Sequence, residues 1–423
     1  MRTTIHRLLA PVLAVTLLTL PLVAEDLARG KPEDVGLSSS RLQRLTDAME
    51  SYVQQGRLAG AVTLVARRGK VVYLEAFGQR DREAKSPMRT DSMFRIASQS
   101  KAIVSVGAMI LQEEGKLLIT DPVSKFLPGF AKTTVAVARE GGGYDVVPAR
   151  RAITIRDLLT HTSGVSYGSG PARDKWTTAG FQGWYFADRD EPIGASIARL
   201  PELPFDAQPG ERWIYGYNTD ILGAVVEKAS GQPLDVFLRT KIFEPLGMRD
   251  THFYVPTPKV ERLAAVYSAA SSGIERAPTP GTMTGQGAYV EGPRKSFSGG
   301  AGLVSTASDY ARFLQMMLNG GALEGVRLLS RTTVGLMTTD HLAGKAFRPG
   351  QGFGLGFSVV LDVGERGVPG SVGEYGWGGA YHSTYWVDPK EELVVIYLTQ
   401  IIPATGLDDH ERLRTLVYQS IND

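Results

Sequence analysis

A serine and a lysine three positions apart are the first residues whose types and spacing could do chemistry. Ser98 and Lys101 enclose Gln99 and Ser100. On a helix, residues i and i+3 share a face, so the hydroxyl and the amine can meet. A serine hydroxyl is a weak nucleophile that needs a base within hydrogen-bond reach. A lysine amine serves as that base only when neutral, a form that burial favours. The spacing therefore indicates a serine poised to attack a carbonyl.

The surrounding residues decide between catalysis and an ordinary helix start. On its own, S-x-x-K is more typical of an N-cap serine followed by a surface lysine. Here the neighbours are apolar: Phe94, Ile96 and Ala97 before the pair, and Ala102, Ile103 and Val104 after it. A lysine in such a run is poorly placed for solvation. We therefore interpret Ser98 and Lys101 as a catalytic pair.

Two later segments accompany the pair in a fixed order. Residues 209–218 read P-G-E-R-W-I-Y-G-Y-N, and residues 377–379 read W-G-G. With Ser98 and Lys101 they resemble the serine β-lactamase and penicillin-binding-protein superfamily. The W-G-G segment resembles its esterase branch, the family VIII carboxylesterases related to class C β-lactamases. The resemblance covers nearly all of the mature chain and includes residues 158–164, 299–303 and 353–356.

The resemblance implies roles for individual residues. Tyr215 matches the tyrosine of the second segment, which takes the Ser98 proton, alone or shared with Lys101, and returns it to the leaving group. The two basic groups would titrate as one unit. The family fold also implies an oxyanion hole made by the backbone N–H groups of Ser98 and Ala380.

The substrate-binding positions favour esters over β-lactams. Trp377 stands where penicillin-binding relatives carry a cation, so it favours a neutral acyl or alcohol group over a carboxylate. Gly378 and Gly379 let the strand approach the substrate closely. Tyr217, which we assign to substrate binding, stands where many relatives have an asparagine. Here that asparagine is shifted by one, to Asn218.

The resulting prediction is a serine hydrolase that cleaves carboxylic esters through an acyl-enzyme on Ser98. A β-lactamase, a D-alanyl-D-alanine carboxypeptidase and a catalytically silent penicillin-binding protein remain alternatives, as do an amidase and an acyltransferase. The expected partner is a small-molecule ester, with a β-lactam or small amide as the other possibilities. The sequence leaves the oligomeric state open.

Residues 164–168 read G-V-S-Y-G and match the nucleophile elbow, which needs a strand before the serine and a helix after it. The preceding residues look helical, so we interpret Ser166 as part of a glycine-rich loop. His161 is interpreted as structural, Asp220 as capping or packing, and His382 as a rim residue. One aromatic stretch could line an acyl pocket or fill the core: Trp176, Phe181, Trp184, Tyr185 and Phe186.

Composition excludes several other classes. The chain of 423 residues carries 46 basic and 44 acidic side chains, so its formal charge of +2 gives no electrostatic reason to bind nucleic acid. It has no cysteine, which excludes disulfides and Cys-ligated zinc. The six histidines show no metal-binding spacing. We expect neither a cofactor nor a metal.

The first residues predict export. Basic residues precede an apolar run that ends before Glu25, which is typical of a secretory signal. We assign residues 1–24 to a signal peptide and expect a secreted or periplasmic protein. Residues 25–423 then form a single β-lactamase-like catalytic domain.

The remaining pattern predicts an α/β fold of the α+β sandwich type. Its antiparallel sheet, flanked by helices, is built from both chain ends, at about 36–95 and 296–423, with a mostly helical lobe at about 96–295 inserted between them. We expect W-G-G on an edge strand beside the site. Helices are predicted at 38–52, 94–114 and 306–318, a hairpin at 61–76, late strands at 354–360, 381–387 and 393–398, a loop at 131–151, and an irregular segment at 254–297.

Overall fold

The structure, a computed structural model, describes residues 26–271, 273–279 and 282–423. The predicted signal peptide at 1–24 lies outside these ranges. Within them, every helix is too short or too polar to cross a bilayer.

The helices of the described residues, in chain order, are α1 (Ser39–Gln54), α2 (Ser100–Glu113), α3 (Ile155–Leu159), α4 (Arg173–Thr178), α5 (Ile193–Ile197), α6 (Asn218–Ser230), α7 (Leu234–Leu238), α8 (Glu244–Leu246), α9 (Ala307–Leu318), α10 (Arg331–Met337), α11 (Val363–Arg366) and α12 (Asp409–Tyr418). The strands are β1 (Gly60–Arg67), β2 (Lys70–Asp81), β3 (Ser86–Pro87), β4 (Phe94–Arg95), β5 (Thr134–Ala138), β6 (Tyr144–Pro148), β7 (Tyr267–Ala270), β8 (Gly273–Arg276), β9 (Val304–Ser305), β10 (Ala322–Leu323), β11 (Val326–Arg327), β12 (Gln351–Phe353), β13 (Ser358–Val360), β14 (Tyr375–Gly379), β15 (Ser383–Asp388) and β16 (Leu393–Thr399).

The main sheet joins the two ends of the chain, as predicted. Its order is β12-β13-β14-β15-β16-β1-β2-β3, and the neighbouring strands run antiparallel. β1 lies between β2 and β16, with Val62 opposite both Ala76 and Leu398. The central pairing spans most of the chain, because the Thr399 hydroxyl donates to the Gly60 carbonyl 339 positions earlier.

Helices cover both faces of this sheet because β1 is apolar on both. Val62 and Leu64 point into the larger core, which contains α2 and α9, whereas Ala61 and Val65 point towards α1 and α12. This alternation follows the two-residue period of a strand. The predicted sandwich fold is confirmed.

The sequence signals for α1 hold in detail. The Ser38 hydroxyl accepts the N–H of Arg41 at 3.3 Å and caps the helix. Leu42, Leu45 and Met49 follow at helical spacing and are buried.

Several local predictions were wrong. The segment 131–151, predicted as a loop, contains the hairpin β5–β6, and residues 141–143 lie at its turn. Residues 254–297 are mostly irregular but include the hairpin β7–β8. Of the strand predicted over 354–360, only residues 358–360 form a strand, β13. Residues 354–357 form the turn that joins it to β12, and Gly356 in this turn has a φ of +100°, which only glycine adopts readily.

The strand that carries W-G-G also differs from the prediction. β14 is third from the end of the sheet, not at its edge. β13, however, pairs only with Tyr375 and Gly376. The backbone of Trp377–Gly379 is therefore paired with β15 on one side and unpaired with β13 on the other. This unpaired stretch of β14 forms one wall of the candidate site.

Candidate active site

Ser98 lies on a 3-10 turn, Ala97–Gln99, that runs directly into α2. Residues three apart eclipse in a 3-10 turn, so this start brings positions 98 and 101 together. Ala97, immediately before the serine, has a φ of +42°, which a residue with a side chain rarely adopts. Such strain persists only where its surroundings enforce it, and it is common at functional sites.

Lys101 is buried at 2% exposure, and its amine has three acceptors. Its Nζ donates to Ser98 Oγ at 3.2 Å, to the Tyr167 hydroxyl at 3.2 Å and to the Gly300 carbonyl at 2.7 Å. An ammonium has three N–H donors, so these contacts use all of them. The structure thus brings the predicted serine and lysine into direct contact.

Tyr215 packs beside this pair. The Lys101 Nζ lies 4.6 Å from the centre of the Tyr215 ring. The Trp377 indole N–H donates to the Tyr215 hydroxyl at 3.0 Å. The centres of the His161 and Tyr215 rings lie 4.8 Å apart. Among the described residues, no hydrogen bond joins Tyr215 to Ser98 or Lys101. Catalytic hydrogen bonds often tighten only once substrate is bound.

Tyr167 is a site residue that the sequence reasoning missed. Its hydroxyl contacts Lys101, and its ring meets Tyr215 edge-on at 5.7 Å. Burial, with smaller contributions from Tyr215 and Asp220, holds the pKa of Tyr167 well above its usual range, so the phenol stays protonated. The only sequence signal was its place inside G-V-S-Y-G, next to Ser166.

Asp220 fixes the backbone that contacts Lys101. This buried carboxylate accepts the Ser298 hydroxyl at 2.6 Å and the Gly300 N–H at 3.0 Å. Burial raises the pKa of Asp220, an effect that Ser298 and Lys101 oppose. A Cβ at Gly300 would lie 2.4 Å from this carboxylate, so only glycine fits there. Asp220 thereby holds the carbonyl that binds Lys101.

A cavity of about 570 Å³ opens at the serine. Ser98, Tyr215, Trp377, Gly378, Gly379 and Ala380 all line it. A Cβ at Gly379 would lie 2.6 Å from the Ile96 carbonyl, so glycine is required for β14 to pass this close to the turn that carries Ser98.

Other predicted residues lie away from this cavity. Tyr217 is buried, and its hydroxyl donates to the Gly183 carbonyl at 2.6 Å, so it packs in the core instead of lining the cavity. Asn218 turns inward and donates to His161 Nδ1 at 3.0 Å. The Ser166 hydroxyl accepts the Gly168 N–H at 2.9 Å within its own turn.

The aromatic stretch is divided between the core and the cavity, and His161 is buried beside Tyr215. Trp176, Phe181 and Phe186 pack around Tyr217 in the core, whereas Trp184 lines the cavity. Burial holds the pKa of His161 well below its usual range, and the charge of Lys101 adds to the effect. The imidazole is therefore neutral and accepts from Asn218.

His382, Asp409 and His410 form the group that best matches a metal-binding set within the described ranges. Their ligand atoms lie within 4.8 Å of one another. The same groups already have partners: His382 Nε2 donates to Asp409 at 2.7 Å, and the Tyr397 hydroxyl donates to the other carboxylate oxygen at 2.7 Å. The two imidazole rings stack at 4.0 Å. This arrangement fits a structural cluster beside the cavity.

Comparisons with known proteins identify the family to which the chain is similar. The profile of the family described as Beta-lactamase matches residues 45–419. Protein Rv1367c of Mycobacterium tuberculosis is 38% identical over 84% of this chain and 88% of its own. The esterase EstB of Burkholderia gladioli is 34% identical over 86% of this chain and 91% of its own.

A solved structure gives the same relationship. EstCE1, described as a hydrolase with promiscuous acyltransferase activity, superimposes with a TM-score of 0.75 at 30% identity, covering 90% of this chain and 98% of that one. These matches support a hydrolase with the β-lactamase fold. The chain belongs to the serine β-lactamase and penicillin-binding-protein superfamily, on its esterase branch.

Proposed function

We propose that the chain hydrolyses carboxylic esters through an acyl-enzyme on Ser98. The observation that carries this proposal is the 3.2 Å contact between the buried Lys101 amine and the Ser98 hydroxyl at the floor of an open cavity. A buried cation without a carboxylate partner is unusual in a structural role. Placed against a serine hydroxyl, it suits nucleophilic catalysis.

In the proposed reaction, Ser98 Oγ attacks the ester carbonyl while its proton passes to the Tyr215–Lys101 unit. The three donors of Lys101 are engaged, so Tyr215 is the better acceptor. It accepts the proton as a phenolate, an anion that the adjacent ammonium stabilises, and becomes a neutral phenol. The same proton then goes to the departing alcohol. Water repeats the sequence on the acyl-enzyme and releases the acid.

The oxyanion would be held by the backbone N–H groups of Ser98 and Ala380. Both residues line the cavity, and the close approach of Gly379 to Ile96 brings the end of β14 against the serine turn. Donors aimed at the developing negative charge are each worth about 10²–10³ in rate.

An ester is the preferred substrate because Trp377 gives the wall of the cavity an indole where a penicillin-binding site has a cation. The indole N–H is already used by Tyr215. The esterase EstB, at 34% identity, supports the same choice.

The test is hydrolysis of p-nitrophenyl butyrate at neutral pH by wild type, Ser98→Ala and Ser166→Ala, each checked for folding by circular dichroism. We expect turnover in wild type and Ser166→Ala, and its loss in Ser98→Ala. Mass spectrometry of the quenched reaction should find the butyryl group on Ser98. Equal turnover in wild type and Ser98→Ala would refute the proposal. Hydrolysis of nitrocefin but of no ester would replace it with the β-lactamase alternative.

A further inference from the structure

The cavity at Ser98 is positively charged, which the near-neutral chain does not suggest. Its charged lining residues, apart from histidine, are Arg348, Arg366, Arg414 and Glu374. Three arginines against one glutamate leave a formal charge of +2. A cleft lined by one sign of charge concentrates ligands of the opposite sign.

Two of these arginines are already neutralised in part. Arg414 makes two hydrogen bonds to the Glu374 carboxylate, at 2.7 and 2.8 Å, and Arg366 makes one at 2.8 Å. Both are held by a buried partner and are not free to bind a ligand. Arg348 is the exception.

The Arg348 guanidinium has neither an ion pair nor a hydrogen bond to any residue in the described part of the chain. It stacks instead on aromatic rings, 4.9 Å from the centre of Trp377 and 5.2 Å from that of Phe347. Stacking holds the planar group in place while leaving its N–H donors outward, and the residue is exposed. An oriented guanidinium with unused donors is suited to bidentate binding of a carboxylate.

The position of Arg348 indicates which part of the substrate it would meet. Its platform, Trp377, donates to the hydroxyl of Tyr215, the group proposed to protonate the departing alcohol. Arg348 thus lies on the side of the cavity where the alcohol portion leaves.

We propose that Arg348 binds a carboxylate on the alcohol portion of the ester, so that the preferred substrates are O-acyl esters of hydroxy acids. This inference rests on the proposed esterase function. It differs from the expectation based on Trp377 alone, which was a neutral group. Arg348 supplies a positive charge to the cavity, which Trp377 does not.

The test uses a matched pair of substrates, 4-butyryloxybenzoate and its neutral methyl ester, with wild type, Arg348→Gln and Arg348→Lys. We expect Arg348→Gln to lower kcat/KM for the anionic substrate about five- to tenfold, mainly through KM, because one charge-assisted contact is lost. The neutral ester should change less than about twofold. Arg348→Lys should retain part of the preference, and 0.5 M NaCl should weaken it in wild type.

Arg331→Gln is the control, because it removes the same charge at an exposed position outside the cavity. It should alter neither substrate. Equal effects of Arg348→Gln on both esters would overturn the inference and leave the esterase function standing. A third substrate, mono-4-nitrophenyl glutarate, carries its carboxylate on the acyl portion. If Arg348→Gln lowered kcat/KM for this substrate alone, the inference would also be overturned. Failure of wild type to hydrolyse any of these esters would overturn both.

Discussion

Glu374 offers a direct test of what anchors β14, the strand that forms one wall of the candidate site. This residue directly precedes β14 and is 2% exposed. Its carboxylate accepts two hydrogen bonds from Arg414 of α12, one from Arg366 of α11 and one from the Tyr418 hydroxyl at 2.8 Å. One anion therefore connects two helices to the strand that ends at the candidate active site.

The informative change is Glu374→Gln, which keeps the shape and removes the charge. The amide turns an N–H donor towards one guanidinium, and the two largely buried cations lose the anion that they share. Breaking a buried pair in this way costs about 3–5 kcal/mol. The matched control is Glu392→Gln, whose partner Arg68 lies 3.4 Å away on an exposed surface, where a pair is worth about 0–1 kcal/mol.

Thermal unfolding followed by circular dichroism measures both variants against wild type. We expect Glu374→Gln to lower Tm by about 4–6 °C and Glu392→Gln by about 1 °C or less. A Tm for Glu374→Gln within 2 °C of the control would refute the view that this buried carboxylate anchors β14, because the arginines would then be satisfied by solvent.

Two further outcomes follow from the site and its surroundings. Trp377→Phe keeps the aromatic wall but removes the indole donor to Tyr215, so kcat on p-nitrophenyl butyrate should fall about five- to tenfold with KM unchanged; a rise in KM alone would contradict this. Burial and the neighbouring His382 lower the pKa of His410 from 6.5 to about 4. As the pH falls, His410 therefore binds a proton near pH 6.5 in the unfolded chain but only near pH 4 in the folded protein. The free energy of unfolding that this residue contributes above pH 6.5 is lost between pH 6.5 and pH 4. Urea unfolding at pH 7.5 and 4.5 measures this loss, and in His410→Gln the loss should be smaller than in wild type by about 2–3 kcal/mol. Equal losses in both proteins would contradict this prediction.

The contact between Ser98 and Lys101 could be predicted from sequence because its geometry is local. Ser98 and Lys101 are joined by a single turn, and the apolar residues around them already indicated burial. The helix at 306–318 was equally accessible, since Thr306 caps it by accepting the Asp309 N–H at 3.2 Å. Such features depend on neighbours a few positions away.

The strand carrying Trp377 was expected only from the family resemblance, because its own residues do not predict a strand. Residues 375–379 read Y-G-W-G-G, and glycine has poor strand propensity. They form β14 because Tyr375 pairs with Val387 and Trp377 with Tyr385 on β15. The strand is therefore a product of tertiary pairing, and its partly open side depends on where β13 ends.

Tyr167 and Arg348 were missed for a related reason. Neither matches the motifs that drew attention to the site, and each reaches it from a loop. Tyr167 was concealed by a pattern that pointed to its neighbour, Ser166. The hairpin β5–β6 was overlooked because residues 141–143 suggested a long loop. They lie at the turn between two five-residue strands whose burial does not alternate, so no two-residue period indicated them.

The pairing of β1 with β16 also determines when the fold can form. The carbonyl and hydroxyl that meet at Gly60 and Thr399 are 339 positions apart. At about 5–20 residues per second, a ribosome needs roughly 20–70 s to synthesise that length. During this interval β1, apolar on both faces, exposes an unpaired edge to other nascent chains. Soluble yield should therefore depend on translation speed and chaperone supply more than on the stability of the finished protein.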